Sequence, residues 1–203
     1  MPGKFITLEG IDGAGKTTHL QWIAQFLESR AIPCTVTREP GGTRLGERLR
    51  EILLSETMHP ETEVLLMFAA RREHLDKVIE PELARGTWVI CDRFTDATFA
   101  YQGAGRGVSL EKLRLLESWV QTQRQPDMTL LFDLPIDVAK QRSQPGRTPD
   151  RFERERGEFF KNVREGYLQR AAAFPQRIRV LDASKPKSEV EKLLEVEILS
   201  LCN

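Results

Sequence analysis

The stretch that most constrains this chain runs from Phe5 to Leu27. A short apolar run, Phe5 to Glu9, enters Gly10-Ile11-Asp12-Gly13-Ala14-Gly15-Lys16-Thr17, and Leu20, Ile23, Ala24 and Leu27 follow at helical spacing. Strand, glycine-rich loop and helix in that order curl a row of backbone N–H groups around an anion at a helix N-terminus. In such a loop the lysine, here Lys16, reaches the β and γ phosphates of a nucleoside triphosphate, and the threonine, here Thr17, ligates magnesium through its hydroxyl. Gly10, Ile11, Asp12, Gly13, Ala14, Gly15, Lys16 and Thr17 are therefore expected to bind ATP together with Mg2+.

A loop of this kind needs a sheet to carry it. Four further β-rich runs, Cys34 to Arg38, Trp88 to Asp92, Thr129 to Asp133 and Arg177 to Leu181, alternate with segments of helical period. Leu113, Leu116 and Val120 make one such stripe, and Val190, Leu193, Leu194 and Ile198 another. The pattern predicts an α/β fold, a five-stranded parallel sheet flanked by helices on both faces, with ligands at the carboxyl ends of the strands. At 203 residues one domain, 1–203, accounts for the whole chain. Ser143 to Asp150 is rich in Pro, Gly and Arg between two helical patterns and reads as a mobile lid, spanning approximately 142–153.

Charge and cysteine usage narrow the class. Thirty basic residues against thirty acidic ones leave no net charge, which argues against a nonspecific nucleic-acid binder. Cys34, Cys91 and Cys202 are odd in number, far apart and without metal-ligand spacing, as in a reduced interior. No stretch approaches the roughly 20 apolar residues of a membrane span, and the N-terminal run lacks the flanks of a signal peptide, so a cytoplasmic location is expected.

The loop alone does not separate a kinase from a switch or a motor. No Asn-Lys-x-Asp motif is present to read guanine, and neither Asp92, followed by Arg93, nor Asp133, followed by Leu134, carries the adjacent glutamate that would activate a water. Arginines close the second and third strands instead. Arg38 and Arg93, converging above one sheet, would grip a second phosphate-bearing molecule with bidentate hydrogen bonds.

Four motifs after the loop, Arg38-Glu39-Pro40-Gly41-Gly42-Thr43, Asp92-Arg93-Phe94, Ala100-Tyr101-Gln102-Gly103 and Asp150-Arg151-Phe152-Glu153, together resemble thymidylate kinases of the bacterial type over nearly the whole chain. The resemblance implies a P-loop nucleoside monophosphate kinase fold in which Arg38 and Arg93 hold the phosphate of dTMP and Asp92 lies near the magnesium. It implies a ring stacked on thymine and a guanidinium on its carbonyl, assigned here to Phe68 and Arg72, four residues apart and so on one helical face. Thr98 and Gln102 match positions that read the polar edge of the base, and Tyr101 matches the residue that crowds the 2′ position, giving a deoxyribose preference. Ala97 departs from the family, which often has serine there. A homodimer packed through helices is also implied.

Gly13-Ala14 brings no arginine to the transferring phosphoryl group, so that charge is expected from the lid. Arg147 or Arg151 is assigned to it and Arg142 to packing against adenine; an arginine in that role is worth roughly 10³–10⁵ in rate in related systems. Lys16, Arg93, Asp12, Arg147 and Arg151 form the expected catalytic set, with Asp12 facing either the acceptor sugar or a magnesium-bound water. The expected reaction converts ATP and dTMP to ADP and dTDP, for dTTP synthesis. Two alternatives stand beside it: a kinase for another monophosphate or small metabolite, and an ATP-dependent switch or partner-binding module that hydrolyses slowly with no acceptor. His19, His59 and His74 have no partner pattern and receive no role.

Overall fold

In the computed structural model, residues 3–142, 151, 152, 155 and 157–202 are described. The elements run β1 (Phe5–Glu9), α1 (Lys16–Ser29), β2 (Cys34–Arg38), α2 (Arg44–Ser55), α3 (Pro60–His74), α4 (Glu80–Ala84), β3 (Trp88–Asp92), α5 (Thr95–Thr98), α6 (Leu110–Gln121), β4 (Met128–Asp133), α7 (Ile136–Arg142), α8 (Gly157–Ala173), β5 (Ile178–Asp182) and α9 (Lys187–Ser200). Three strands coincide with the expected bounds. β4 starts one residue early, and β5 lies one residue late because the Arg177 amide donates to the Phe174 carbonyl and closes the turn after α8.

All strands are parallel, in the order β2-β3-β1-β4-β5. β1 is buried at every residue, the mark of a central parallel strand covered on both faces. Alternation along it separates two cores. Ile6 and Leu8 join Leu20, Ile23 and Leu27 of α1 and Leu194 and Ile198 of α9 on one face, while Phe5 packs with Phe68, Val89, Cys91 and Phe94 on the other. From β1 the chain crosses outward to β2, returns to β3, and then passes β1 to reach β4 and β5. The crevice at the carboxyl ends of β1 and β3 is thus the natural ligand site.

Two helical stretches widen into π turns. Leu75–Ile79 precedes Pro81, which has no N–H to continue the regular ladder. Phe99–Gly105 carries Tyr101 and Gln102, and α8 packs tightly on it. That approach depends on missing side chains: a Cβ on Gly105 would lie 2.6 Å from Phe159, and one on Gly166 would lie 2.6 Å from the Ala104 Cβ.

The face of β1 that bears Phe5 also bears Thr7 and Glu9, so a polar seam runs through this second core. The Thr7 hydroxyl is 2.8 Å from that of Thr129, which also bonds Asp96, and the Asp96 carboxylate accepts from Arg170 at 2.8 Å and Arg177 at 2.7 Å. Burial pushes the Asp96 carboxyl up, but Arg177 and Arg170 more than offset it and hold it ionised below the usual value. Asp96 ties α5, just beyond Arg93, to α8 and to the start of β5. Asp96→Ala should therefore destabilise the fold by about 3 kcal/mol or more, since two guanidinium groups lose their buried partner; urea unfolding measures this, and a change below about 1 kcal/mol would refute it.

Candidate active site

The phosphate loop takes the conformation its glycines permit. Gly10, Gly13 and Gly15 all have positive φ. At Gly10, with φ 134°, a side chain is excluded twice over, since a Cβ would meet the Phe132 carbonyl oxygen at 2.5 Å. α1 begins with no side-chain cap and no acidic residue in its first turn, which leaves its N-terminus open to an anion. Lys16 is buried and folds back onto the loop, donating to Gly10 O at 2.9 Å and Ile11 O at 3.1 Å. Burial, with Arg93 adding to it, lowers its ammonium to about 8. Thr17 is exposed at the rim of a cleft of about 1410 Å³ that also takes in Arg38, Asp92, Arg93 and Arg142.

Arg93 closes the cleft from the end of β3. Its φ of 69° is left-handed, a conformation that costs a non-glycine residue about 1–2 kcal/mol. Both terminal nitrogens of its guanidinium are engaged: one donates to Gly10 O at 2.9 Å and to the Tyr167 hydroxyl at 3.1 Å, the other to Asp12 at 2.7 Å and to the Tyr101 hydroxyl at 3.1 Å. Burial opposes this charge, yet Tyr101, Asp12, Tyr167 and Asp92 outweigh it and hold the guanidinium well above the usual arginine value. Asp12 is in turn held below the usual carboxylate value, because Arg93 and Lys16 exceed the effect of its burial. Glu9, fully buried, has its carboxyl raised to about 8 by burial and by Asp96.

A smaller recess of about 90 Å³ opens beside the cleft and shares Asp12, Glu39, Arg50 and Arg93 with it. Thr98, Tyr101, Gln102 and Ala97 line it. The α3 residues differ from expectation. Phe68 and Arg72 do not line the recess; Met67 and Arg71 do. Phe68 points into the second core, and Arg72, half exposed, donates to the Val120 carbonyl at 2.9 Å and pairs with Asp76 at 3.9 Å. Met67 and Arg71 keep the spacing of four one residue earlier in the chain, a turn of about 100° around the helix. Arg71 is locked, donating to Glu39 at 2.7 Å, Thr95 at 2.9 Å and Thr98 at 3.0 Å, with its guanidinium 4.8 Å above the Phe68 ring.

Arg151 is the second correction. It lines neither cavity; it donates to Leu53 O at 3.1 Å and forms a close pair with Glu63, a fully buried carboxylate that Gln102 and Arg106 also serve. A carboxylate buried that deeply needs compensating cations, and Arg151 provides one. Arg147 lies outside the described residues, as does most of the expected lid. Arg142 lines the cleft and donates to the carbonyls of Ala183 at 2.6 Å and Ser184 at 3.1 Å. Arg38, on the cleft rim, is paired with Glu47 at 2.7 Å.

Several participants were missed by sequence reasoning. Arg50 lines both cavities, and its only sequence signal is its place in an arginine-rich helix after the Gly41-Gly42 turn. His74, given no role, is fully buried between Glu39 at 3.0 Å and Thr37 at 2.7 Å. His59 accepts the Glu61 amide at the start of α3, and His19 stacks on Phe132.

A phosphate loop facing an arginine-rimmed recess across the switch point of one parallel sheet defines a kinase of the nucleoside monophosphate class. A family model described as thymidylate kinase matches residues 8–194. Thymidylate kinase of Nitrosospira multiformis is 62% identical over 99% of both chains, and that of Methylobacillus flagellatus is 60% identical over 95% of both. Among solved structures, thymidylate kinase from Ehrlichia chaffeensis superposes with a TM-score of 0.78 at 33% identity, covering 98% of this chain and 99% of that one. The chain belongs to the thymidylate kinase family, ATP-dependent phosphotransferases.

Because Lys16 has been lowered to about 8, the phosphates of bound ATP should draw a proton onto it. Calorimetry in buffers of different ionisation enthalpy should show proton uptake on ATP binding that grows from about pH 7 to about pH 8.5. Identical heats in every buffer would contradict this.

Proposed function

We propose a division of labour in which the loop side of the site binds ATP and the recess side binds dTMP, the γ-phosphoryl passing between them to give ADP and dTDP on the route to dTTP. The observation that carries it is the sharing of Asp12, Glu39, Arg50 and Arg93 by the cleft and the recess, so that two ligands filling them meet at one line of charge. The acceptor is an ionised phosphate and needs no strong general base, so the protein's contribution is positioning and charge neutralisation. Gly10 to Thr17 take the triphosphate, with Lys16 turning from the loop carbonyls to the β and γ phosphates. Arg38, Arg50 and Arg93 take the acceptor phosphate. Burial and the nearby Arg38 charge lower the Arg50 guanidinium, a repulsion that a dianion between them would relieve.

Arg71 and Thr98 read the polar edge of thymine, Met67 covers its face, and Tyr101 crowds the 2′ position; Gln102 is held for the same wall by Glu63 at 2.7 Å. Asp12, between Lys16 and Arg93, keeps the two cations apart until the phosphates replace it. Arg142 packs on adenine, and Arg147, in the lid at approximately 142–153, supplies the charge on the transferring phosphoryl that the Gly13-Ala14 stretch lacks.

Mg2+ fits the residues present. Asp92 Oδ1 is buried without a hydrogen-bond partner, and Thr17 offers its hydroxyl into the same cleft. Among the described residues no cluster of three or more His, Cys, Asp or Glu side chains forms a metal cage, which suits an ion carried largely by phosphate and water. Thr17 and Asp92 would hold it, and its chemistry would be neutralisation of phosphate charge. We further propose one domain over 1–203, since the sheet draws strands from Phe5 to Asp182, and a cytoplasmic setting, supported by the three free cysteines. Among the described residues no helix is long and apolar enough to cross a membrane.

A homodimer is proposed from the family and from an apolar face left on α3 and α6, where Leu65 is 55%, Leu115 70% and Trp119 77% exposed. A second copy presenting the same face would cover it. Sedimentation should give a dimer that Trp119→Glu converts to monomer; a monomeric wild type would refute it.

Coupled ADP-release assays should show turnover only with an acceptor, fastest with dTMP; fastest turnover on AMP or dCMP would overturn the assignment. Lys16→Ala and Arg93→Ala should each lose most turnover with unchanged circular dichroism. Arg71→Ala should raise KM for dTMP by about tenfold or more, the loss of a hydrogen bond to a charged group, while Arg72→Ala leaves it unchanged.

A further inference from the structure

Glu9 and Tyr167 have no part in the division of labour above, yet both are buried, Tyr167 bonded to Arg93 and Glu9 bonded to Tyr167 and to the Phe94 amide. We infer that Glu9 is the positioning residue for Arg93, holding its backbone with one carboxylate oxygen and, through the Tyr167 hydroxyl, its guanidinium with the other. Oε1 accepts the amide of Phe94 at 2.7 Å. Oε2 accepts the Tyr167 hydroxyl at 2.8 Å, and the oxygen of that hydroxyl accepts from Arg93 at 3.1 Å. With Glu9 ionised, the chain Arg93 to Tyr167 to Glu9 runs donor to acceptor throughout and ends on an acceptor fixed to the strand that opens the phosphate loop.

The two edges of the Arg93 fork face different surroundings. One nitrogen bonds Gly10 O and Tyr167, groups belonging to the protein interior and to the loop backbone. The other bonds Asp12 and Tyr101, which line the recess, and the Asp12 side chain is 37% exposed. An acceptor phosphate competes for the second edge, where Asp12 now sits, and displaces a carboxylate that has water to turn to. The first edge is then what keeps the plane of the fork in place, and of its two anchors only Tyr167 has an orientation that another side chain sets. The positive φ at Arg93 gives the backbone bond a matching purpose: Phe94 N–H is the first donor after the strained residue, and Glu9 takes it.

Buried polarity for stability alone would not require this arrangement. The seam of Thr7, Thr129 and Asp96 beneath it is already closed by Arg170 and Arg177. Glu9 touches neither of those arginines among the hydrogen bonds of the described residues; one of its oxygens takes the amide of Phe94, the residue after Arg93, and the other the hydroxyl of Tyr167, which Arg93 bonds.

The inference rests on Arg93 binding the acceptor phosphate, and the experiment separates the two. In the full-length enzyme, kcat and KM for dTMP and for ATP are measured for Tyr167→Phe, Glu9→Gln, Arg93→Lys and the Arg93→Lys/Tyr167→Phe double variant, with melting temperature as the control for folding. Tyr167→Phe should lower kcat/KM for dTMP about tenfold while KM for ATP stays within about twofold. Glu9→Gln keeps an acceptor for Phe94 but presents an amide N–H to Tyr167 in place of an acceptor, so it should shift the dTMP parameters in the same direction, and it stands in if Tyr167→Phe folds poorly. In the Arg93→Lys background, Tyr167→Phe should cost little more, because the fork it orients is gone. An equal fold-loss in both backgrounds, or parallel losses for ATP and dTMP, would overturn the positioning role. Wild-type dTMP kinetics in Tyr167→Phe and Glu9→Gln beside a disabled Arg93→Lys would overturn it while leaving the phosphate assignment standing. Wild-type dTMP kinetics in Arg93→Lys would overturn both.

Discussion

A guanidinium buried where a strand meets a phosphate loop has to satisfy its N–H groups there, and the site is built around that requirement. Arg93 finds its acceptors on four parts of the chain: Gly10 of the loop, Asp12 two residues on, Tyr101 of the π turn and Tyr167 of α8. Gly10 O accepts from Lys16 as well, so the cation of the loop and the cation at the end of β3 lean on one carbonyl. That meeting is possible only because β1 and β3 are neighbours, with Leu8 opposite Asp92, which brings the two strand ends side by side. Moving either strand by one position would separate the phosphates that the reaction must bring together.

The same physics recurs around the recess. Glu39, Glu63 and Asp96 are buried carboxylates, each held by arginines: Glu39 by Arg71, Glu63 by Arg106 and Arg151, and Asp96 by Arg170 and Arg177. Such pairs are poor sources of stability, since desolvation offsets much of their attraction. They are good sources of orientation. Arg71 cannot turn away from the recess without giving up its bonds to Glu39, Thr95 and Thr98, so that wall of the recess is set in advance. Glu63 extends the same restraint to Gln102 on one side and to Arg151 on the other. The chemistry asked of the protein is placement of two phosphates, and a scaffold of locked side chains is what placement needs.

Legibility in the sequence followed the range of the interactions. The phosphate loop was readable because a strand, three glycines with positive φ and an uncapped helix start are consecutive in the chain. The strand-end arginines were readable because parallel sheets deliver such residues to one edge. On α3, spacing showed that residues four apart share a face, but the face turned to the recess is decided by what α2, α6 and the sheet cover. Phe68 went to the core and Met67 to the recess, and Arg71 rather than Arg72 lines it. Arg151 shows the same limit. Its motif announced a functional arginine, while its partner, Glu63, lies 88 residues away and left no local sign.

By itself, then, the sequence determined the α/β class, the strand that bears the phosphate loop, the residues of that loop, and the family to which the chain belongs, all properties written in short consecutive motifs. The tertiary structure alone decided which side chains line the recess, that Arg50, Glu39 and His74 belong to its surroundings, and that Glu9 reaches Arg93 through Tyr167, 158 residues further along the chain. The reason is physical: hydrogen bonding between neighbours in the chain can be read from spacing, but the partner of a buried charge is set by which surfaces the whole fold presses together.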